Sequence, residues 1–375
     1  SILQSVLHTF RRLVRRAGLH KRRTAEAYFS LVACPDGCRI RAASPKVAIE
    51  CQQPGPCDTE TILLPLEALN AWTRRSDEIV TFERLHEQRM LISWSDRGVP
   101  RQAEFQLDRN AAVDFPERPT TLTANDPGLW PALQSAVTST DRHSTRYALN
   151  CLHFRGSLGQ IDATDGRQIL SQSGLRFGFE GSVLVPASPL LGCRDLDTGQ
   201  SVAVGRTAAW VGFGIGSWLV MLPINQEGRF PHVDDILPNH EFARSRLELS
   251  ATDTAFLRQV LPRLPCDQTH NDPLTLDLNG RVLLRCRESL EARTTEVELT
   301  SSQLTGEPVI LNTSRQFVDR ALKLGFREAF IYGADAPVLC RDTHRRFLWA
   351  LLDSKSALPR ADNPIRIVPP SAASR

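Results

Sequence analysis

One feature constrains this chain more than any other: the same succession of elements occurs three times along its 375 residues. An amphipathic helix leads, then short strand-like runs, a second helical stretch and more short strands. In the first copy Ile2, Leu3, Val6, Leu7, Phe10, Leu13 and Val14 recur at three- and four-residue intervals, which gives a helix one apolar face, and Gly18 ends it. Strand-like runs follow from 27 to 52, a helix is predicted over 65–76, and three more strands follow it. The second copy opens with a helix over 128–141 and has a short one over 185–196. The third has helices over 250–264, capped by Ser250 or Thr252, and over 314–325. A repeat of about 120 residues implies one supersecondary unit used three times. The fold class is therefore α+β, with pairs of helices packed on antiparallel sheets.

Linkers fall between the copies. Residues 115–127 are rich in Pro and Thr, and 238–246 are polar. The expected domains are 1–118, 119–243 and 244–354. From 355 to 375 the composition turns to Ser, Ala, Pro and Arg without periodicity, so this tail is expected to be disordered.

Composition excludes several classes. Apolar residues make up 41% and charged ones 23%, ordinary for a globular chain. No apolar run approaches the length of a membrane span, and no segment has the order of a signal peptide, so the expectation is a cytoplasmic protein without membrane contact. Nine cysteines, an odd number, read as reduced core residues. Cys34, Cys38, Cys51 and Cys57 are spaced more loosely than a zinc knuckle. Catalytic motifs are missing: there is no phosphate-binding loop, no paired-histidine zinc motif and no nucleophile elbow. The glycines of "GFGIGSW" (212–218) lie within a strand-rich stretch and suit bulges or close packing better than a nucleotide site. Asp162 and Asp165 flank a hairpin tip with no third acid or base beside them. Neither an enzyme nor a cofactor is expected.

Charge is informative by position. The net charge is only +3, yet the first 23 residues hold Arg11, Arg12, Arg15, Arg16, Lys21, Arg22 and Arg23 and no acidic residue. Such a cluster is suited to a phosphate backbone; a solvated helix face is the plain alternative. A second local signal is "QIDATDGRQILSQSG" (160–174), where Asp165-Gly166 joins two alternating runs in a tight hairpin. Arg167, Gln168 and the apolar pair Ile169-Leu170 follow its tip directly, which is unusual for a surface loop.

Longer stretches resemble a known family. "TDRHSTRYALNCLHF" (140–154), "IDATDGRQIL" (161–170), "VLVPAS" (183–188) and "EGRFPHVDDILP" (227–238) are similar, in order and spacing, to signatures of the bacterial DNA polymerase III beta subunit, the sliding clamp. "AEFQLDRNAAVDFP" (103–116) and "LTGEPVILNTSRQFVDRAL" (304–322) resemble other parts of it. The resemblance covers roughly residues 1–352. It implies a head-to-tail homodimeric ring of six similar domains that encircles duplex DNA as a polymerase processivity factor. By this resemblance Arg11, Arg15, Arg22, Arg23, Arg74 (or Arg75), Arg142, Arg146 and Tyr147 would face DNA. A groove for short peptides of the replicative polymerase, the clamp loader and repair polymerases would be formed by Leu149, Thr164, Gly166, Arg167, Gln168, Ile169, Pro238, Leu348 and Ala350. The subunit boundary would hold Phe105 and Leu107 against Val260 and Leu261.

The sequence departs from that pattern in places. Arg167-Gln168 stand where the family has His-Arg, and "LWALLDSKS" (348–356) continues past the family's usual ending. The segment "TAEAYFSLV" (24–32) replaces a Leu-Pro segment. The alternative function is a divergent clamp paralogue that acts as an interaction scaffold with little or no DNA loading.

Overall fold

The computed structural model describes residues 1–21, 28–55, 59–72, 74–107, 113–144, 147–197, 199–267 and 271–369. In the first copy the elements are β1 (Ile2–Leu3), α1 (Gln4–Arg16), β2 (Tyr28–Cys34), β3 (Gly37–Ser44), β4 (Val47–Pro54), β5 (Glu60–Pro65), β6 (Ile79–His86), β7 (Arg89–Asp96) and β8 (Val99–Gln106). The second holds β9 (Thr123–Asn125), α2 (Leu129–Val137), β10 (Cys151–Arg155), β11 (Gln160–Thr164), β12 (Gln168–Gln172), β13 (Ser182–Pro186), β14 (Val202–Arg206), β15 (Trp210–Ile215) and β16 (Trp218–Pro223). A one-turn helix, α3 (Val233–Ile236), precedes the third copy. That copy comprises β17 (Ser245–Glu248), α4 (Ala251–Val260), β18 (Pro273–Leu278), β19 (Val282–Cys286), β20 (Thr295–Leu299), β21 (Gln303–Gly306), β22 (Val309–Ser314), α5 (Arg315–Lys323), β23 (Glu328–Ile331), β24 (Val338–Arg341) and β25 (Arg345–Trp349). One more strand, β26 (Ile365–Ile367), ends the series.

Strand pairing repeats with the sequence order. The opening strand pairs antiparallel with the sixth in the first two copies, β1 with β6 and β9 with β14, and with the seventh in the third, β17 with β23, because that copy has the additional strand β21. The second strand pairs with the fifth in the first two copies, β2 with β5 and β10 with β13, and with the sixth in the third, β18 with β22. The chain forms two compact units: residues 1–161 with 174–229, and residues 162–173 with 230–375.

In the first unit α1 buries Leu7, Phe10, Leu13 and Val14 completely or nearly so. Phe10 meets the rings of Phe29 and Trp218, with centroids 6.0 and 6.5 Å away. Gly18 stops the helix in the left-handed region at φ 73°. The glycines of the 212–218 stretch have a packing cause. Strand β15 pairs with β14 in unbroken register, Gly205 opposite Gly212. The linker crosses that pair: a Cβ on Gly205 would lie 2.2 Å from the Thr121 carbonyl oxygen, and one on Gly212 3.0 Å from Pro119. Close approach, not a bulge, requires glycine there.

In the second unit the sheet separates two apolar layers. Leu170, Phe347, Cys340 and Ile331 face a large core with Leu257 of α4 and Phe317 and Leu322 of α5. Helix α4 starts as the sequence implies, Ser250 accepting the Asp253 backbone N–H at 3.0 Å.

Three expectations need correction. The helix predicted over 65–76 is a 3-10 segment, Leu66–Ala71, because the chain leaves helical geometry to bury Trp72 completely. The helix predicted over 185–196 reduces to a 3-10 turn at Arg194–Leu196. Pro186 and Pro189 interrupt it, and Gly192 (φ 68°) packs so tightly on Gln134 that a Cβ would lie 2.2 Å from that side chain. The tail, expected to be disordered from 355, is ordered to 369. Ile365–Ile367 form β26, parallel to β20, with Ile365 opposite Thr295 and Ile367 opposite Val297. Compositional bias did not prevail because the Ile-Arg-Ile alternation fits a strand edge that is already built.

No helix among the described residues is long and apolar enough to cross a membrane. Among the described residues no group of three or more His, Cys, Asp or Glu could hold a metal. Cys34, Cys38 and Cys51 are thiols rather than disulfide partners, and burial pushes the Cys51 thiol up to about 11; Cys57 lies outside the described residues.

Candidate functional site

Two surfaces collect the residues marked by the sequence, one in each unit. The first is the polar face of α1. With its apolar side fixed in the core, the 3.6-residue period turns Arg11, Arg12, Arg15 and Arg16 away from that core. The helix has no acidic residue in its first turn, and Arg15 and Arg16 occupy its last turn, where positive charge suits the dipole. Arg15 donates to Asn70 Oδ1 at 3.0 Å. Arg12 and Arg16 both pair with Asp195, at 3.0 and 3.5 Å, and that carboxylate is only 7% exposed. Arg11 is half-buried, and desolvation, with a smaller contribution from Arg15, lowers its guanidinium from the ordinary value. Arg12, Arg15 and Arg16 are thus held in place by partners distant in sequence.

Of the other residues assigned to this surface, Arg74, Arg75 and Arg142 are exposed. Tyr147 is 68% exposed and adopts φ 52°, a left-handed conformation uncommon for a bulky residue. Arg22, Arg23 and Arg146 lie outside the described residues. Sequence reading missed Asn70 and Asp195, because a lone polar residue in a connecting segment carries no signal of the helix it meets.

The second surface is apolar. Pairing register places Ile169 of β12 opposite Leu348 of β25, Leu348 opposite Leu339 of β24, and Leu339 opposite Phe330 of β23. The four side chains form one row across four strands, on the sheet face away from α4 and α5. Val233 of α3 completes the cluster, and Phe230, Leu237, Ala243 and Tyr332 lie half-buried around it. Segment 230–243 is fixed over the row, with the Tyr332 hydroxyl donating to the Asn239 carbonyl at 3.2 Å. Ile169 and Leu348 are 6% and 3% exposed, so the row is covered rather than open.

The hairpin tip explains its unusual residues. Asp165 Oδ1 accepts the backbone N–H groups of Arg167 and Gln168 at 2.8 and 2.9 Å, and Gly166 takes φ 89°. The Thr164 hydroxyl donates to the Gln168 carbonyl at 2.6 Å. Gln168 folds back on Asp165, its amide donating to Oδ2 at 2.7 Å. Asp165 is therefore a turn-forming group. Arg167 is exposed; it donates to Asn271 Oδ1 at 3.1 Å and lies 5.9 Å above the Phe317 ring. Its carbonyl accepts the N–H of Ala350 at 2.8 Å, and Ala350 is itself exposed. Pro238 is half-buried at the edge of the covering segment. Leu149 belongs to the first unit and is half-buried there. Val233, Phe330 and Leu339 were not identified from sequence, because they meet only through the pairing of strands distant along the chain.

The residues assigned to a subunit boundary fall differently. Phe105 is half-buried on β8, and Leu107 just beyond it is 8% exposed. Val260 is half-buried, but Leu261 is fully buried in the core of its own unit. Leu261 has no surface to offer a second chain.

No family model matches the sequence, and a search of curated proteins finds no match. Solved structures do match. The DNA polymerase III subunit beta of Pseudomonas aeruginosa superposes with a TM-score of 0.76 at 17% identity, over 94% of this chain and 98% of that one. The DNA polymerase sliding clamp of Bacillus subtilis gives 0.74 at 18% identity, with coverage of 94% and 98%. A Pseudomonas aeruginosa clamp bound to griselimycin gives 0.76 at 16% identity and the same coverage. The chain has the sliding-clamp fold. The likeness spans the clamps almost end to end.

Proposed function

We propose that this chain is a non-catalytic processivity clamp: a homodimer that encircles duplex DNA without reading its sequence and tethers a polymerase and other replication or repair proteins through short peptides. The observation that carries the reading is the clamp fold over 94% of the chain. The face of α1 supports it, since arginines with no acidic neighbour on their own helix favour phosphates of any sequence. The margin of the apolar row supports the tethering role, because the half-buried Phe230, Leu237 and Tyr332 leave part of their apolar surface for a peptide with apolar anchors. The exposed edge strand β8, with Phe105, would supply one side of the subunit boundary and Val260 the other.

Topological retention is the test. Loaded onto nicked circular DNA, the protein should remain bound through gel filtration and be lost once the circle is cut. Equal retention on circular and linear DNA, or none on either, would overturn encirclement.

A further inference from the structure

The repeated pairing contains a rule. In the first unit β4, the fourth strand of the first copy, pairs antiparallel with β16, the last strand of the second, from Trp218 opposite Cys51 to Met221 opposite Ala48. In the second unit β12, the fourth strand of the second copy, pairs antiparallel with β25, the last strand of the third, from Gln168 opposite Trp349 to Gln172 opposite Arg345. Each fourth strand receives a last strand. Two strands are left over: β20, the fourth strand of the third copy, and β8, the last strand of the first. Among the described residues β8 pairs only with β7. The edge of β20 is occupied by the chain's own tail, as β26.

We infer that residues 354–369 are a displaceable plug on the β20 edge, competing with the β8 strand of a second copy of this chain. The inference rests on the ring reading proposed above, in which β8 of one subunit would complete the rule at β20 of the other. The tail reaches this edge by specific contacts. The Leu358 N–H donates to Thr275 Oγ1 at 2.8 Å, and its carbonyl accepts from Arg285 at 3.2 Å. Arg285 is almost fully buried between Asp277 and Glu296, so the tail carbonyl satisfies a guanidinium shut off from water. Arg293 holds Asn363 through its backbone carbonyl and side-chain oxygen at 3.2 and 3.0 Å, and the Ile365 N–H donates to the Thr294 carbonyl at 2.9 Å.

The plug is weaker than the strand it would replace. It pairs over 3 residues and in parallel, whereas β8 is 8 residues long and both internal joints are antiparallel. Parallel pairing is slightly less stable per residue. Its advantage is attachment: a tethered segment competes at an effective concentration on the order of millimolar. Dimerisation would therefore need more protein, or a partner that draws the tail away.

Sedimentation equilibrium over a concentration series tests this on the full chain, a chain ending at Asp353, and an Ile365→Pro variant that loses the N–H bonded to Thr294. Circular dichroism and a cooperative urea transition establish that each is folded. Both variants should dimerise at least about tenfold more tightly than the full chain, as removal of a millimolar tethered competitor implies. A synthetic peptide of residues 354–369 added in trans should return the shortened chain toward monomer. Should the shortened chain fail to fold, the full chain and Ile365→Pro carry the comparison through hydrogen exchange. Protection of β8 amides should then rise with concentration at lower protein in the variant. An unchanged dimer constant, or unchanged β8 exchange, in folded protein overturns the plug and leaves the tail as a cover for an exposed edge. DNA retention separates the two readings. Tighter dimers that fail to stay on nicked circles sink encirclement and keep the plug, whereas retention with equal dimer constants sinks the plug and keeps the clamp.

Discussion

The face of α1 and the row around Ile169 are built on opposite principles. On α1 the helix core is local: Leu7, Phe10 and Val14 come from one short segment, and the charged face follows from their spacing. The apolar row takes one residue from each of four strands and a fifth from α3, spread from Ile169 to Leu348. A surface made of charge keeps its solvation and acts through long-range attraction, so it should respond to salt. A surface made of apolar side chains acts by excluding water, and should not. The difference teaches that, on the function proposed above, a tolerant sliding contact and a selective docking contact would need different physics.

The largest expected effect attacks the row. Leu348→Ala removes a side chain that touches both neighbours in its register and should destabilise the second unit by about 2–5 kcal/mol. Urea denaturation should show it, with loss of any binding of an apolar clamp-binding peptide in fluorescence anisotropy. A change below about 0.5 kcal/mol, the usual size for surface positions, would mean that the row is not the core of that site. Wild-type peptide affinity should also stay nearly flat with salt; a steep dependence would erase the contrast with α1.

The next effect concerns charge. Replacing Arg11, Arg12, Arg15 and Arg16 by Ala should leave the fold intact and weaken DNA binding. The slope of log affinity against log salt should flatten by about 0.9 for each phosphate contact removed. An unaltered slope would place α1 away from DNA.

The smallest effect is the most discriminating. Asp195 holds two of the four arginines, so Asp195→Asn should release Arg12 and Arg16 to bind phosphates. DNA affinity at low salt should rise severalfold, and the slope should steepen by about 0.9 for each phosphate that a released arginine neutralises. Stability should change by no more than about 1 kcal/mol, because both arginines are substantially exposed. Weaker DNA binding in this variant would instead show that Asp195 orients the arginines for DNA.

What the sequence determined by itself is local. The period of apolar residues defined α1, Gly18 ended it, Ser250 capped α4, and Asp165-Gly166 made the hairpin, because each depends on neighbours within a few bonds along the chain. The threefold order was legible for the same reason, and with it the clamp fold. Tertiary structure decided what depends on distant partners. Burial of Trp72 cut a helix short, Asp195 claimed half of the basic face, and Leu261 went into the core instead of a boundary. It also ordered the tail: Ile365–Ile367 carry only a three-residue alternation, which is too little to form a strand alone. An unpaired row of backbone donors and acceptors on β20, far away in sequence, supplies the hydrogen bonds that three residues cannot make among themselves.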